Sequence, residues 1–274
     1  ILMPTDFYEN YWNAIVYAQK LYKDIALTFY LLNSHELYVS TTINLTNRLA
    51  KTIKENSIKE LKELRSQMQS SNINPEHDFQ IISSAKNLMT AIENAVITYS
   101  IDLVVMGTKG ATGAKEFLFG SNTVKTIKSM TLCPVLIIPE DFEFTEPKQI
   151  AFPTDFNHFY GHIVLKSIKE LAKLYNCNVS IVHINVEEKL DDIQTYNMDM
   201  LKTYFEDIEH SFHWMPNFTK KAKAINIFIE DLDIDLLVMI SYSHTFIESI
   251  TKEPVINKMG FHPKIPFLVI PSLN

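Results

Sequence analysis

The sequence predicts an α/β protein built from two tandem domains, each an open parallel five-stranded sheet sandwiched between helices. Three observations carry that expectation. The chain repeats itself, strand-like and helix-like stretches alternate within each copy, and an acidic, proline-bounded segment separates the copies. Residues 1–7 read ILMPTDF and residues 150–156 read IAFPTDF, five of seven identical at an offset of 149. CPVLIIP (Cys133–Pro139) is echoed by IPFLVIP (Ile265–Pro271), and DLVVM (Asp102–Met106) by DLLVM (Asp235–Met239). Echoes in the same order mark an internal duplication of a unit of about 140 residues, an ordinary domain size. The domains are therefore assigned to 1–139 and 150–274. The segment 140–149 is read as an exposed linker.

In the first copy, ILMP is a strand, Tyr11–Tyr22 a helix, Ala26–Leu32 a strand and 42–69 a long polar helical region. A strand at Phe79–Ser83, a helix at Leu88–Tyr99, a strand at Asp102–Met106, a helix at Ser121–Met130 and a strand at Val135–Ile138 complete it. Strands alternating with helices predict a parallel sheet covered on both faces. The second copy is expected to follow, with strands near 150–153, 179–184, 225–229, 235–240 and 267–270. Its helices are expected near 160–174, 193–213, 220–223 and 246–258.

Composition narrows the function classes. Hydrophobic residues make up 46% and charged ones 21% of 274 residues, which suits packed cores rather than disorder. A net charge of −7 argues against non-specific binding to nucleic acid or anionic membrane. No apolar run approaches the ~20 residues that span a bilayer, and no signal peptide is visible. The chain opens inside an apparent strand at Ile1, so some upstream residues are expected to be missing. Cys133 and Cys177 form no disulfide framework, which suits a reducing cytoplasm, and both are expected to be buried thiols.

The chemistry concentrates in Met106–Thr123, MGTKGATGAKEFLFGSNT. Gly107 and Gly110 lie three apart, nine residues follow, and then come Gly120 and Ser121. The stretch leaves an apolar strand and enters a helix. Glycines let backbone approach a ligand, and a helix N-terminus offers unpaired N–H groups to an anion. The spacing is neither the P-loop GxxxxGK[ST] nor the dinucleotide GxGxxG. In an open sheet of order 3-2-1-4-5, strands 1 and 4 are neighbours, and ligands bind beyond their carboxyl ends. That order would bring Asp6 beside Gly107. A carboxylate there can accept a hydrogen bond from an exocyclic amine or a ribose hydroxyl, or cap the following helix. The Ser121 hydroxyl can cap its helix or bind phosphate, and Lys109 could place a positive charge near terminal phosphates, or simply be solvated.

PTDF at both strand ends, G-x2-G-x9-G-S, CPVLIIP and the duplication together resemble a tandem universal stress protein, across nearly the whole chain. The resemblance implies a Rossmann-like, nucleotide α-hydrolase-like fold of strand order 3-2-1-4-5 and ATP as ligand, with magnesium as a candidate companion. It implies that Thr5 and Asp6 follow strand 1 at the adenine, and that Ser34 lines the adenine pocket. Met106 and Gly107 would border adenine and ribose. Gly110, Gly120, Ser121, Asn122 and Thr123, with Lys109, would hold the phosphates. No catalytic residue and no metal ligand is assigned. The implied role is a cytoplasmic, nucleotide-dependent stress-response sensor or adaptor without nucleic-acid or membrane partners. The two copies would pack as a pseudo-dimer through VLIIP and FLVIP, with homodimerisation and an unidentified protein partner as further expectations.

The second copy keeps Asp155 but replaces the glycines. Aligning the last strands puts Ile240 at Gly107, Ser243 at Gly110, and Lys252, Glu253 and Pro254 at Gly120, Ser121 and Asn122. Bulk, like charge and a missing N–H donor are expected to exclude a triphosphate. SYSHT (Ser241–Thr245) reads as a surface loop or a different polar pocket. His210 and His213 have metal-ligand spacing only if a helix continues through them. Two other functions stay open. One is slow magnesium-dependent ATP hydrolysis, with Glu116 as a candidate base, and the other is an interaction module with a relic motif.

Overall fold

The computed structural model describes residues 1–7, 10–36, 43–108, 120–185, 189–216, 221–241 and 264–272. They fall into two compact units that part between Phe144 and Thr145.

The first unit runs β1 (Leu2–Pro4), α1 (Asn10–Leu21), β2 (Thr28–Ser34), α2 (Ile43–Ser71), β3 (Asp78–Ser84), α3 (Leu88–Tyr99), β4 (Val104–Gly107), α4 (Ser121–Ser129) and β5 (Val135–Ile138). Parallel pairing of β3 with β2, β2 with β1, β1 with β4 and β4 with β5 gives the order 3-2-1-4-5. β4 and β5 are buried at nearly every position, because helices cover both faces. The polar 42–69 region is one 29-residue helix, α2. It holds on the sheet by a stripe of Leu61, Leu64 and Met68, spaced at three and four residues, while its Lys and Glu residues face solvent. α3 starts at Asn87, whose side chain accepts the Thr90 N–H, and stops at Ser100 in the left-handed conformation.

The second unit runs β6 (Gln149–Pro153), α5 (His162–Tyr175), β7 (Asn178–Asn185), α6 (Asp192–Tyr204), β8 (His210–Pro216), α7 (Lys221–Asp231), β9 (Leu236–Ser241) and β10 (Phe267–Pro271). Its parallel pairings, β8 with β7, β7 with β6, β6 with β9 and β9 with β10, repeat the same order. α6 begins with a capping box in which Asp191 and Gln194 satisfy each other's backbone N–H groups.

Two expectations for this unit are corrected. The third strand is 210–216, not 225–229, and the helix expected over 193–213 ends at Tyr204. INIFI alternates like a strand, but Ile225, Phe228 and Ile229 are all buried, which is a helical stripe, and they lie in α7. His210 and His213 consequently sit on a strand, where residues three apart point to opposite faces. The helix expected at 246–258 lies outside the described residues.

The acidic segment 139–149 is less solvated than its composition suggests. Phe142 and Phe144 set their rings edge-on to buried Tyr17 at 6.1 and 5.2 Å. The Asn13 amide donates to the carbonyls of Pro139 and Phe142, each at 2.9 Å. Acidic side chains alternate with phenylalanines, so one edge of the segment faces water and the other packs on α1. Farther along, the Asp235 carboxylate accepts the N–H groups of Lys148 and Gln149 at 2.7 and 2.9 Å.

Candidate functional site

In the first unit, the chain leaves β1 through a fixed turn. The Thr5 N–H donates to the Leu32 carbonyl at 2.8 Å, and the Asn33 amide donates back to the Thr5 carbonyl at 2.9 Å. The Thr5 hydroxyl accepts the Phe7 N–H at 3.0 Å. Phe7 takes a φ of 64°, uncommon for a residue with a large side chain. This tight bend leaves Asp6 exposed at the carboxyl end of the strand. Neighbouring β4 ends at Gly107, whose carbonyl accepts the hydroxyl of buried Thr123 at 3.3 Å. Strand and helix are thus tied across the position where a side chain is missing.

Gly120 is the N-cap of α4, with φ −58° and ψ 148°, and makes no side-chain cap. The conformation does not demand glycine. Among the described residues, no side chain caps this first turn, which lies beside the exposed Ser121 and Asn122. The first Ser121 alternative is thereby decided: its hydroxyl is not at the capping position. Ser34 ends β2 and donates its hydroxyl to the Lys86 carbonyl at 2.7 Å. Met106 is buried. Lys109, Gly110 and Glu116 lie outside the described residues.

A small crevice opens between these ends. Pro4, Thr5, Ala14, Ile15 and Gly107 line it together with Tyr11, Met3 and Val105, and the space it offers a water-sized solute is only about 10 Å³. Tyr11 is a residue that the reading of the sequence missed. Burial pushes its phenol above the ordinary range, and the carboxylates of Asp6 and Glu60 push the same way. A signal for it was present. PTDF is followed by three residues and a tyrosine in both copies, ending at Tyr11 and at Tyr160.

The second unit has the same bend and a different filling. Thr154 takes the Phe156 N–H on its hydroxyl at 3.0 Å, and Phe156 has a φ of 58°. Ile240 pairs with Ile270 as Gly107 pairs with Ile138, so the strands set Ile240 at the glycine position. It is buried. Tyr160 is also buried, hydrogen-bonded to the Thr154 hydroxyl and edge-on to Phe152 at 5.9 Å. His183, in the place of Asn33, approaches the Thr154 carbonyl at 3.1 Å and stacks on Phe156 at 5.0 Å. Ser243, Lys252, Glu253 and Pro254 lie outside the described residues. A larger groove of about 610 Å³ lies between α5 and α6, lined by Phe159, Tyr196, Met200 and Tyr204 among others.

The remaining candidates resolve simply. Cys133 and Cys177 are buried, and burial pushes both thiols up to about 12, far from the range of a reactive thiolate. His213 bonds the Ser211 hydroxyl at 2.8 Å and His210 approaches the Ile208 carbonyl at 3.0 Å. Among the described residues, no group of three or more His, Cys, Asp or Glu side chains could hold a metal ion, and no helix is long and apolar enough to cross a membrane.

Known structures repeat this architecture. A universal stress protein from Archaeoglobus fulgidus DSM 4304 superposes with a TM-score of 0.72 at 19% identity, over 98% of both chains. A protein of unknown function from Pseudomonas aeruginosa PAO1 gives 0.58 at 12% identity, over 98% of this chain and 92% of its own. The cytoplasmic domain of a prokaryotic cation chloride cotransporter gives 0.51 at 10% identity, over 98% and 93%. At these identities the likeness is one of fold. No curated protein sequence matches the chain. The sequence model of the universal stress protein family matches residues 1–139, the half that carries the glycine motif and the complete bend-and-crevice arrangement. By that match, over half its length, the chain belongs to the universal stress protein family.

Proposed function

We propose that the first unit binds ATP and that the protein acts as a nucleotide-dependent sensor or adaptor in a stress response. One observation carries the reading. Strand β4 ends in Gly107 at the crevice beside β1, and α4 opens with Gly120, a bare first turn and two exposed polar side chains. Those are the features an adenine nucleotide needs: close backbone approach for the nucleoside and unpaired N–H groups for phosphate. Thr5, Asp6, Ser34, Met106 and Gly107 would meet the nucleoside. Lys109, Gly110, Gly120, Ser121, Asn122 and Thr123 would meet the phosphates, with magnesium as their companion. The second unit, its glycine position filled by Ile240, would serve as a structural or partner-binding platform. An intramolecular pseudo-dimer and a cytoplasmic location belong to the same proposal.

The test is calorimetric titration of ATP, ADP and AMP into the wild type and Gly120→Glu. The expected result is one ATP per chain, abolished by a carboxylate at the helix N-terminus while the fold persists. A folded wild type that binds none of the three would refute the reading. The interaction module is the second reading, favoured by the nearly filled crevice. Slow hydrolysis would show as magnesium-dependent turnover lost in Glu116→Gln.

A further inference from the structure

The two units finish the same pair of helices differently. α1 and α2 in the first unit, and α5 and α6 in the second, each connect three neighbouring parallel strands and lie side by side on one face of the sheet. Both helices of a pair run against the strands, so they are parallel to each other. The first pair gives its outer surface to water. Lys51 and Glu55, and Lys59 and Glu63, pair along α2 at one-turn spacing, and among the described residues Leu49 is the only large hydrophobic that α1 and α2 expose. The second pair does the opposite. Phe159 and Ile163 at the entry to α5, and Ile193 and Tyr196 at the start of α6, are each 62 to 64% exposed.

Those four side chains form one patch. Parallel helices put their first turns at one end of the pair, and Phe159 and Tyr196 line the same groove between α5 and α6. Ile193 lies one turn before Tyr196, and Ile163 lies in the first turn of α5. Contiguous apolar patches of this kind mark contact surfaces. The charges around the patch say what fits it. α5 carries Lys166, Lys169 and Lys173 against one acid, Glu170. From Asp191 to Asp207, α6 and its flanks carry five acids against one base, Lys202. Ion pairs within the unit join Lys166 to Glu170, Lys202 to Asp199, and Lys169 and Lys173 to Asp207, and they leave the two helices opposite in net sign. A surface with a basic half, an acidic half and a shared apolar end is complementary to itself.

We infer that the α5–α6 face docks a second copy of this chain, about a two-fold axis that lies in the contact and runs along the helices. That axis lays α5 of one copy on α6 of the other, pointing the same way. Basic helix then meets acidic helix on both sides of the axis. Phe159 and Ile163 of one copy come opposite Ile193 and Tyr196 of the other, at the same end of the contact. An axis running across the helices would set α5 on α5 and α6 on α6, like charge on like. It would also press each apolar end against a charged one. The 14 residues of α5, at about 1.5 Å each, make a face about 20 Å long and two helices wide. That is small for a specific contact, so a dissociation constant on the order of 10 µM is expected. The docking does not depend on what the first unit binds.

Sedimentation equilibrium on the full chain, from about 1 to about 300 µM, tests it. The weight-average mass is expected to rise from one chain toward two. Tyr196→Asp and Ile163→Asp, with circular dichroism to check folding, are each expected to weaken association at least about tenfold. Ile97→Asp, at a position 69% exposed on α3 of the first unit, is expected to stay within about twofold of wild type. Charge reversal tests the axis. Lys166→Glu with Lys173→Glu, and Asp192→Lys with Asp199→Lys, are each expected to weaken self-association at least about threefold. Mixed together, the two reversed chains are expected to associate at least about threefold more tightly than either does alone, because each altered helix then meets its opposite. A wild type that stays one chain throughout overturns the inference. So does a dimer that Tyr196→Asp and Ile163→Asp leave unchanged, since another surface then holds it. A mixture no tighter than its separate members overturns the axis. Hydrogen exchange on the unaltered chain guards against variants that fail to fold. Protection in 157–163 and 191–196 must rise with concentration, and protection that stays constant there while the mass doubles overturns the assignment.

Discussion

The crevice of the first unit and that of the second are built on the same turn and finished in opposite ways. Both leave their first strand through a threonine whose hydroxyl takes the N–H two residues on, and both force a phenylalanine into positive φ. That strain costs of order 1 kcal/mol or more wherever a large side chain adopts it, and the chain carries it twice. One copy then ends its fourth strand in Gly107, whereas the other places Ile240 there and seals the tyrosine above it. The second unit shows that this fold packs well without a glycine at that position. The strand ladder itself therefore does not demand a glycine at that position.

The sharpest way to break that comparison is to import the second unit's residue into the first. Gly107→Ile adds a side chain to a nearly filled crevice and is expected to cost about 1–3 kcal/mol of stability, so circular dichroism must first show that the chain still folds. The substitution should lower ATP affinity at least about a hundredfold, roughly 2.7 kcal/mol, because the isoleucine fills the approach. Calorimetry on the full chain checks it. Wild-type affinity in a folded Gly107→Ile chain would mean that the nucleotide does not pass Gly107. Stoichiometry in the same titration bears on the other half of the contrast, with one site per chain expected rather than two.

The latch on Tyr160 supplies the next effect. Tyr160→Phe removes a hydrogen bond between buried Tyr160 and half-buried Thr154, and among the described residues leaves the Thr154 hydroxyl with the Phe156 N–H. A cost of about 1 kcal/mol is expected, read as a lower denaturant midpoint. Tyr11→Phe should cost markedly less, because Tyr11 is half-exposed and lacks that bond. Equal costs for the two substitutions would erase the distinction between a latched and an unlatched tyrosine.

How much of this was legible from residues alone varied with the kind of signal. The duplication and the parallel α/β architecture followed from the echoed segments and alternating periods, which are local patterns; the order of strands is not local and came with the family resemblance. α3 and β5 came out at their observed bounds, since Asn87 and Ser100 punctuate one and an apolar run defines the other. The third strand of the second unit did not. INIFI satisfies a period of two and a period of three to four at once, and only burial against the sheet chooses between them. HSFHWMP was lost in the tail of a helix for the converse reason: two histidines and a serine dilute its alternation. In the crevice, the glycines were visible as residues out of place in ordinary elements. Tyr11 was not, because an aromatic in the first turn of an amphipathic helix looks like any core residue. Its place beside the ends of β1 and β4 shows only once the strands are assembled. The packing of Phe142 and Phe144 on Tyr17 was hidden in the same way by the acidic residues between them.

The smallest expected effect separates the units by pH. α1 and α2 are joined by an uncharged contact, in which the buried Gln19 amide donates to the Met68 carbonyl at 3.0 Å. The corresponding join in the second unit is ionic. Lys169 and Lys173 of α5 both reach Asp207, just beyond α6, and Lys169 also donates to the Tyr204 carbonyl at 2.9 Å. Hydrogen bonds from the two lysines hold the Asp207 carboxyl at about 2, below its ordinary 3.8. A depressed carboxylate stabilises the fold fully above its unfolded value, and that contribution is lost as pH falls through the folded one. The window is thus about pH 4 down to about pH 2. Acid should loosen the α5–α6 join and leave the α1–α2 join untouched. Asp207 is solvent-exposed, so water and salt screen the pair and the effect stays small. Hydrogen exchange between pH 5 and pH 2.5, corrected for intrinsic rates, should show protection falling in α5 more than in α1. Asp207→Asn should remove most of that difference at low salt. Acid loosening that is equal in the two units, or unchanged by Asp207→Asn, would place the sensitive carboxylate elsewhere.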